Sequence, residues 1–297
     1  MVNQLEDMRM LVEVVDRGSF SAAAARLRLT KQLVSRRMMA LEERLGVQLL
    51  VRTTRRLAPT ELGQDYVDRA RRIIADVDDA DQAMASHMAT PRGTLRVAAP
   101  LSFGQSHLSK LFASFLSRHP GVRLELDMAD RYVDLLGEGY DVAVRVGHLG
   151  DSSLVARKLM PVHMVICASP DYLDRAGIPR TVQELKAHEC LEYRHSRGSA
   201  WPLTIEGKQD LLPVRGTYSA NNGDALRDAA LAGIGLAQLP TFIVGGDIAA
   251  GRLCTVMDDY APAPTAAYVV HPAHRQRSRL VRLFSDYLAA GLNGKDA

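Results

Sequence analysis

The sequence predicts an α/β protein with a mostly α-helical head at its N-terminus. Apolar residues recur at helical spacing up to about residue 89, and strand-like and helix-like segments alternate from residue 92 onward. The chain has 297 residues, of which 47% are hydrophobic and 24% are charged, a composition typical of globular proteins of about two domains. These values exclude disordered, collagen-like and disulfide-scaffold proteins.

Three short helices are predicted at the start of the chain. The first ends at Gly18, since glycine readily adopts the left-handed conformation that terminates a helix. Ser19 caps the second, over residues 20–28, whose alanines let another helix cross closely. Thr30 caps the third, which ends at Gly46. Its apolar residues are spaced by four, three and four positions: Val34, Met38, Leu41 and Leu45.

A short wing and a long helix follow. Residues 47–59 mix apolar and β-branched residues with arginines, which predicts a two-stranded wing that ends at Pro59. The helix begins at Thr60 and reaches about residue 89. A single apolar stripe on a long, charged helix calls for a partner, so we expect two copies of the chain to pair through it, with packing on the chain's own body as the alternative. The candidate pairing residues are Leu62, Tyr66, Ile73, Val77, Ala80 and Met84.

The net charge is only +3, but the charge is unevenly distributed. Residues 1–60 carry 11 basic and 6 acidic side chains, a balance of +5, whereas residues 61–89 carry 3 and 7, a balance of −4. The rest of the chain carries 23 and 21, a balance of +2. This asymmetry indicates a head that binds a polyanion, attached to a nearly neutral body.

The first three helices contain the pattern of a winged helix-turn-helix, whose second motif helix enters the major groove of DNA with its N-terminal end. Glutamine can bind adenine with two hydrogen bonds, lysine or arginine can bind guanine, and serine can bind a base or a phosphate. A merely solvated basic face is the alternative, and the joint placement of caps, helix and wing favours DNA. The candidate residues are Ser19, Thr30, Lys31, Gln32, Ser35 and Arg36, with Arg37, Arg52, Arg55 and Arg56 directed at phosphates.

Residues 92–297 alternate between strands and helices in two rounds, which predicts two small lobes with largely parallel sheets. One of the predicted helices covers residues 132–138. Residues 1–60 thus form the head and residues 61–89 the linker helix. We assign residues 92–161 and 268–297 to lobe I, and residues 162–267 to lobe II.

The loops that follow the strands form the candidate ligand crevice, because ligands of such sheets bind at the carboxyl ends of the strands. A serine hydroxyl, an arginine guanidinium and asparagine amides together suit a small organic anion. Helix caps, turns and an ion pair of Arg145 with Asp141 or Asp151 are the alternatives. The candidate residues are Pro100, Leu101, Ser102, Phe103, Asp130, Arg145, Gly147, Asn221 and Asn222.

Several of these segments resemble the N-terminal signature of LysR-type transcriptional regulators. The matching runs are GSFSAAA at 18–24, LEERLGV at 41–47, LVRTTR at 50–55 and TELG at 60–63, and GIGLAQLP at 233–240 extends the resemblance into lobe II. The chain departs from the family at Val51, where phenylalanine is frequent, and at Pro59, where leucine is common. Lys31 and Gln32 occupy positions at which members differ, so the operator sequence cannot be carried over.

The resemblance implies a homodimer through the linker helices, usually assembled into a homotetramer, with a periplasmic-binding-protein-like effector domain. It implies activation or repression of nearby genes, with RNA polymerase as a partner of an activator. The effector would bind between the lobes, at the loop that contains Ser102. We therefore expect a cytoplasmic, nucleoid-associated regulator of promoter DNA.

Enzyme signatures are absent from the sequence, which has no G-x-S-x-G, H-E-x-x-H or phosphate-loop motif. Cys167, Cys190 and Cys254 form no metal or disulfide pattern, and no segment has the length and apolar character of a membrane span. We expect no cofactor and no catalysis. The alternative function is a solute-binding or catalytic α/β protein with a basic protein-interaction head.

Overall fold

The computed structural model describes residues 3–52, 57–84, 91–147, 149–150, 153–194 and 200–293. For Arg52, residues 79–84 and Arg277 it describes the backbone but not the side chain. The chain divides into two compact units, the first mainly Met1–Thr90 and the second Pro91–Leu135 together with Tyr140–Ala297. Within the described ranges, no helix is both long enough and apolar enough to cross a membrane.

Three helices enclose the core of the first unit: α1 (Gln4–Arg17), α2 (Phe20–Leu27) and α3 (Lys31–Leu45). The hydroxyls of Ser19 and Thr30 each accept a hydrogen bond from the backbone N–H three residues on, at 3.4 and 3.3 Å, so both predicted caps are present. Gly18 and Gly46 end α1 and α3 at φ of +60° and +69°. The buried core consists of Met10, Leu11, Val14, Ala23, Ala24, Val34, Met38, Leu41, Leu49, Leu50 and Val67.

The wing is attached to α3 by one carboxylate. Strand β1 (Leu50–Arg52) pairs antiparallel with β2 (Leu57–Pro59). Glu42 on α3 accepts hydrogen bonds from the backbone N–H groups of Leu49 and Leu50, both at 2.9 Å to Oε1. Hydrogen bonds to an ionised acceptor are stronger than neutral ones, so the start of the wing is held firmly against α3.

Helix α4 (Glu61–Met84) begins where the wing ends and crosses the chain just ahead of β1. The Thr60 hydroxyl donates to Gln48 O at 2.8 Å and accepts from Gly63 N at 2.9 Å, while Thr60 N donates to Leu49 O at 2.9 Å. A Cβ at Gly63 would lie only 1.9 Å from Leu49 O. Glycine is therefore required there for a close backbone approach.

The second unit contains the remaining strands and helices. In chain order the strands are β3 (Gly93–Ala99), β4 (Val122–Met128), β5 (Val142–Val146), β6 (Leu154–Val162), β7 (Met164–Ala168), β8 (Glu192–Tyr193), β9 (Ala200–Ile205), β10 (Lys208–Pro213), β11 (Ser219–Ala220), β12 (Ala237–Pro240), β13 (Cys254–Val256) and β14 (Thr265–Pro272). The helices are α5 (Leu101–Phe103), α6 (Ser109–Arg118), α7 (Pro170–Ala176), α8 (Gly223–Leu231), α9 (Thr241–Ala249) and α10 (Arg279–Leu292), with a π-helical turn at Gly104–Leu108 and 3-10 turns at Glu184–Ala187, Asp258–Tyr260 and Ala273–Arg277.

A five-stranded mixed sheet, in the order β4–β3–β5–β14–β6, forms lobe I. β3 runs parallel to β4 and β5, whereas β14 runs antiparallel to β5 and β6, with Thr265 opposite Val162. Four of the five strands, β3, β4, β5 and β6, run in the same direction, as expected, and only β14 runs against them, because the chain returns from lobe II along it. The side chains of α6 and α10 complete the core, with Phe112, Phe115 and Phe284 in contact.

The helix predicted over residues 132–138 is also wrong. Residues 135–139 form turns instead. Two glycines fall in this short stretch, and Gly139 has a φ of +73°. Glycine costs about 1 kcal/mol relative to alanine inside a helix, so the apolar spacing alone could not sustain one.

Lobe II is built around a three-stranded antiparallel sheet, in the order β12–β7–β13. β9 and β10 form a hairpin, and β8 pairs in parallel with β11. Trp201, the single tryptophan of the chain, lies on β9 and is buried in the core of lobe II. The antiparallel arrangement differs from the expected parallel one. It brings the N-terminus of α8 to the edge that faces lobe I.

Candidate functional site

The N-terminal turn of α3 presents the residues predicted to read DNA. Val34, Met38 and Leu41 are fully buried against α1 and α2. Lys31, Gln32 and Arg36 are exposed on the opposite side, and Ser35 is half-buried beside them. Because the Thr30 hydroxyl caps the helix immediately before this group, the exposed end is well defined and available to enter a groove.

Arg37 has a different role from the predicted phosphate contact. Its guanidinium donates to Asp7 Oδ1 at 2.7 Å, to Glu6 Oε2 at 2.8 Å and to Asn3 O at 3.2 Å. The hydrogen bond to Glu6, together with the interaction with Asp7, raises the pKa of Arg37 despite the opposing effect of its burial. Since Asp7 is itself buried, these bonds fasten α3 to α1, and Arg37 is occupied inside the head.

The wing arginines are only partly described. Arg52 ends β1, while Arg55 and Arg56 lie outside the described residues. The bonds of Glu42 to the start of β1 nevertheless fix where the wing leaves the head. The phosphate contacts of these three arginines stay a prediction.

The linker stripe divides into two faces. Val67 and Ala70 of α4 are buried, and Val67 belongs to the core of the head. Of the predicted pairing residues, Leu62 is 59% and Ile73 44% exposed, whereas Tyr66 and Val77 are half-buried. The side chains of Ala80 and Met84 lie outside the described residues. α4 therefore packs on its own head along one face and carries large apolar side chains on another.

Four side chains from two lobes meet at the interlobe crevice. Ser102, in the short helix α5 that follows β3, donates its hydroxyl hydrogen to Asp224 Oδ2 at 2.6 Å. Asn222, just before α8, donates through Nδ2 to Asp130 Oδ2 at 2.6 Å. The backbone N–H of Leu101 donates to the other oxygen of Asp130 at 2.9 Å. Ser102, Leu101, Asp130 and Asn222, all predicted for this crevice, are thus brought together.

Asp224 and Tyr193 belong to the same crevice, but sequence reasoning missed them. Burial raises the pKa of the Tyr193 phenol well above its usual range, and the negative charges of Asp130 and Asp224 raise it further. The phenol therefore stays protonated beside two carboxylates. The position of Asp224 in the first turn of a helix behind Asn222 was a usable signal, whereas the sequence around Tyr193 offers none.

The remaining predicted crevice residues take no part in these hydrogen bonds. Phe103 is fully buried, stacked on His107 with ring centroids 4.9 Å apart and edge-on to Phe242 at 5.3 Å. Pro100 precedes α5 in extended conformation, Asn221 is exposed, and Gly147 N donates to Ala266 O at the end of β5.

Arg145 bonds within lobe I. Its guanidinium lies 4.0 Å from the centre of the Tyr132 ring and donates to Val133 O at 2.9 Å. The alternative pairing with Asp141 is not observed, because Asp141 binds Arg275 at 2.7 Å, and Asp151 lies outside the described residues. The contact of Arg145 with an effector stays a prediction.

In the parts of the chain that the structure describes, no three His, Cys, Asp or Glu side chains are grouped so as to hold a metal ion. Cys167 and Cys190 are buried, and burial raises the pKa of each thiol to about 12, which keeps both in the unreactive protonated form. Cys254 is exposed.

Two family descriptions match the chain. Residues 5–64 match the bacterial regulatory helix-turn-helix of the lysR family, and residues 89–293 match the LysR substrate binding domain. Among curated proteins, the HTH-type regulator CrgA of Neisseria meningitidis serogroup C is 34% identical, over 97% of this chain and 96% of its own. PtxR of Pseudomonas aeruginosa is 36% identical, over 96% and 91%.

Solved structures agree with this assignment. The structure of CrgA, a LysR-type transcriptional regulator, covers 97% of this chain and 99% of its own at a TM-score of 0.61 and 34% identity. That of the Vibrio cholerae virulence activator AphB covers 96% and 98% at a TM-score of 0.60 and 27% identity. A solute-binding or catalytic protein with an interaction head is not favoured, since the relatives are regulators and not enzymes. The chain belongs to the LysR family, as a DNA-binding transcriptional regulator with an effector-binding domain.

Proposed function

We propose that the chain recognises its operator with the first turn of α3. Gln32 and Lys31 would read base edges, Arg36 and Ser35 would contact bases or the backbone, and Arg52, Arg55 and Arg56 would neutralise phosphates. The observation that carries this proposal is the exposure of Lys31, Gln32 and Arg36 opposite a fully buried stripe. Arg37 is left out because its donors are used by α1.

The test is fluorescence anisotropy with duplex DNA from upstream of the chain's own gene and with a scrambled duplex. Gln32→Ala should lose about 1–3 kcal/mol of discrimination between the two, the usual contribution of a two-bond base contact. Gln105→Ala removes an exposed glutamine of the effector domain and serves as the matched control. Affinity should fall steeply with salt, and salt-insensitive binding would contradict phosphate contacts.

We further propose a homodimer through α4, assembled into a homotetramer that acts on promoter DNA in the nucleoid. The exposed side chains of Leu62 and Ile73 support it, because an isolated apolar stripe of this kind is typical of a helix that packs against a second helix. If the regulator activates, RNA polymerase is its further partner. A promoter–reporter strain with and without the gene distinguishes activation from repression.

We propose that a small anionic effector binds between the lobes. The Ser102 hydroxyl, the Leu101 N–H and the Asn222 amide all point at carboxylate oxygens in the crevice, which is the geometry that would hold a carboxylate ligand. Ser102→Ala should abolish the effector response of the reporter and leave operator affinity unchanged. Metabolites of the neighbouring genes, screened by thermal shift, provide the candidate effectors. An unchanged response in the variant would remove Ser102 from the site.

A further inference from the structure

The donors available to an effector are already bound to the chain's own carboxylates. Ser102 is bound to Asp224, while Leu101 N and the Asn222 amide are bound to the two oxygens of Asp130. Hydrogen bonds of this kind, from an uncharged donor to an ionised carboxylate, are among the stronger ones in proteins. A ligand carboxylate could not use these donors while the present bonds persist.

The two interlobe bonds are reciprocal. Lobe I supplies the donor Ser102 and the acceptor Asp130, and lobe II supplies the donor Asn222 and the acceptor Asp224. Asp130 is anchored to its own lobe by Leu101 N, and Asn222 by its Oδ1, which accepts from Ala225 N at 3.1 Å. The bond from Asn222 to Asp130 thus joins two groups that are already oriented, so little side-chain entropy opposes its formation.

We propose that Asp130 and Asp224 act as internal competitors of the effector. Without ligand they hold the lobes together through Ser102 and Asn222, and an effector carboxylate binds by displacing them from these donors. This inference rests on the proposed function, because it assumes an anionic effector in this crevice. Effector binding then exchanges two interlobe bonds for ligand bonds, which shifts the equilibrium between two lobe arrangements.

The charge on Asp224 also sets ligand selectivity under this proposal. A bound carboxylate must lie close to the displaced Asp224, and like charges repel in a partly buried site. Removing the negative charge should therefore strengthen binding of an anion. A ligand that carried an ammonium group would show the opposite dependence, because Asp224 would attract it.

The first experiment is hydrogen–deuterium exchange of the full-length protein without effector or DNA. Ser102→Ala should raise exchange about tenfold not only in its own segment but also across lobe II at residues 222–226, and Asp224→Ala should do the same at residues 100–104. The double variant should exchange no faster than either single variant, since both remove the same bond. Asp228→Asn, on the exposed side of α8, and Ser117→Ala, on α6, are the controls.

We call the two interlobe hydrogen bonds the latch. Exchange measured in the lobe that does not carry the substitution distinguishes loss of the latch from a local effect. Asp224 lies in the first turn of α8, where a carboxylate also stabilises the helix, so its loss alone would loosen residues 222–226. It would not loosen residues 100–104 unless the lobes are held together by this bond. Exchange that rises only in the mutated lobe overturns the latch.

The second experiment uses sodium acetate as the probe, against sodium chloride and ethylammonium chloride at equal ionic strength. In Asp224→Asn, acetate should restore protection from hydrogen exchange or raise the melting temperature at about a tenth of the acetate concentration that the wild type needs. The control variant Asp228→Asn should respond to acetate as the wild type does. An equal response of the wild type and Asp224→Asn to acetate, or tighter binding of ethylammonium than of acetate by Asp224→Asn, refutes competition between a ligand carboxylate and Asp224. Failure of the acetate experiment counts against an anionic effector in the crevice, and failure of the exchange experiment counts against the interlobe bonds as a latch. Anisotropy tests operator binding independently of both.

Discussion

Gly63→Ala should distort the junction between the wing and α4. The added Cβ would lie 1.9 Å from Leu49 O, and real Cβ atoms essentially never approach below 3.0 Å, so the backbone must move by at least about 1.1 Å. That movement strains the bond from Thr60 N to Leu49 O and the neighbouring bonds of Glu42 to the wing. We expect a loss of about 2–3 kcal/mol in the stability of the head, from overpacking together with one weakened hydrogen bond.

The two units can be followed separately because the only tryptophan, Trp201, lies in lobe II. Urea unfolding of Gly63→Ala should shift the part of the far-UV circular dichroism change that does not follow the tryptophan fluorescence, and it should leave the tryptophan midpoint unchanged. Gly246→Ala is the matched control: its Cβ meets no atom within 4 Å, and alanine is favoured over glycine in α9 by up to about 1 kcal/mol. It should raise the tryptophan midpoint.

Operator affinity provides the second readout for Gly63→Ala. A displaced wing should weaken binding to specific and scrambled duplexes alike and reduce the salt dependence, because the wing is proposed to contact phosphates and not bases. A variant that keeps the wild-type dichroism transition and the wild-type salt slope would refute the reasoning about the close approach at Gly63.

Three further predictions concern electrostatics and assembly. Asp247 is buried between Arg227 and Arg252, whose hydrogen bonds together outweigh the effect of burial and lower the pKa of Asp247. Its contribution to folding stability is therefore present above pH 3.8 and is lost as the pH falls below that value. Asp247→Asn should lower the urea midpoint reported by Trp201 at pH 7, and acidification should lower that midpoint less in the variant than in the wild type. Burial lowers the pKa of His188, whose Nδ1 lies 3.0 Å from the Tyr172 hydroxyl. The unfolded chain therefore binds the proton more readily than the folded chain, and folding stability should fall as the pH drops through 6.5. A urea midpoint that stays constant in the wild type, or that falls equally in His188→Gln, would contradict this. Ile73→Asp should disperse the oligomer in light scattering, whereas Ile178→Asp, at a still more exposed isoleucine of lobe II, should not.

Local signals made the head predictable. Ser19, Thr30 and the glycines after α1 and α3 act within a few residues of themselves, so their effect can be recognised from the sequence alone. Arg37 shows the limit, since its chemistry suits a phosphate and only the folded head brings Asp7, thirty positions earlier, against it. The same limit applies to α4, where periodicity does not say which apolar residues face α1.

The crevice was predictable in part for a similar reason. Ser102 and Asn222 lie at the ends of strands, and strand ends are where ligands bind in such sheets. Their partners were not predictable, because Ser102 and Asp224 are 122 positions apart and lie in different lobes. Arg145 was placed correctly on its strand, but its contacts with Val133 and Tyr132 depend on an irregular segment that the sequence had suggested to be helical.

The pairing of Val162 with Thr265 has a consequence for how the domain can move. Lobe II leaves lobe I at one end of β6 and returns at the adjacent end of β14, so it is inserted through two neighbouring strands whose Cα atoms lie about 5 Å apart. A connection of two adjacent extended strands bends and twists easily but resists sliding. We therefore expect relative motion of the lobes to be mainly a rotation about these two strands, and the same geometry would let a short turn replace the whole of lobe II without breaking the sheet of lobe I.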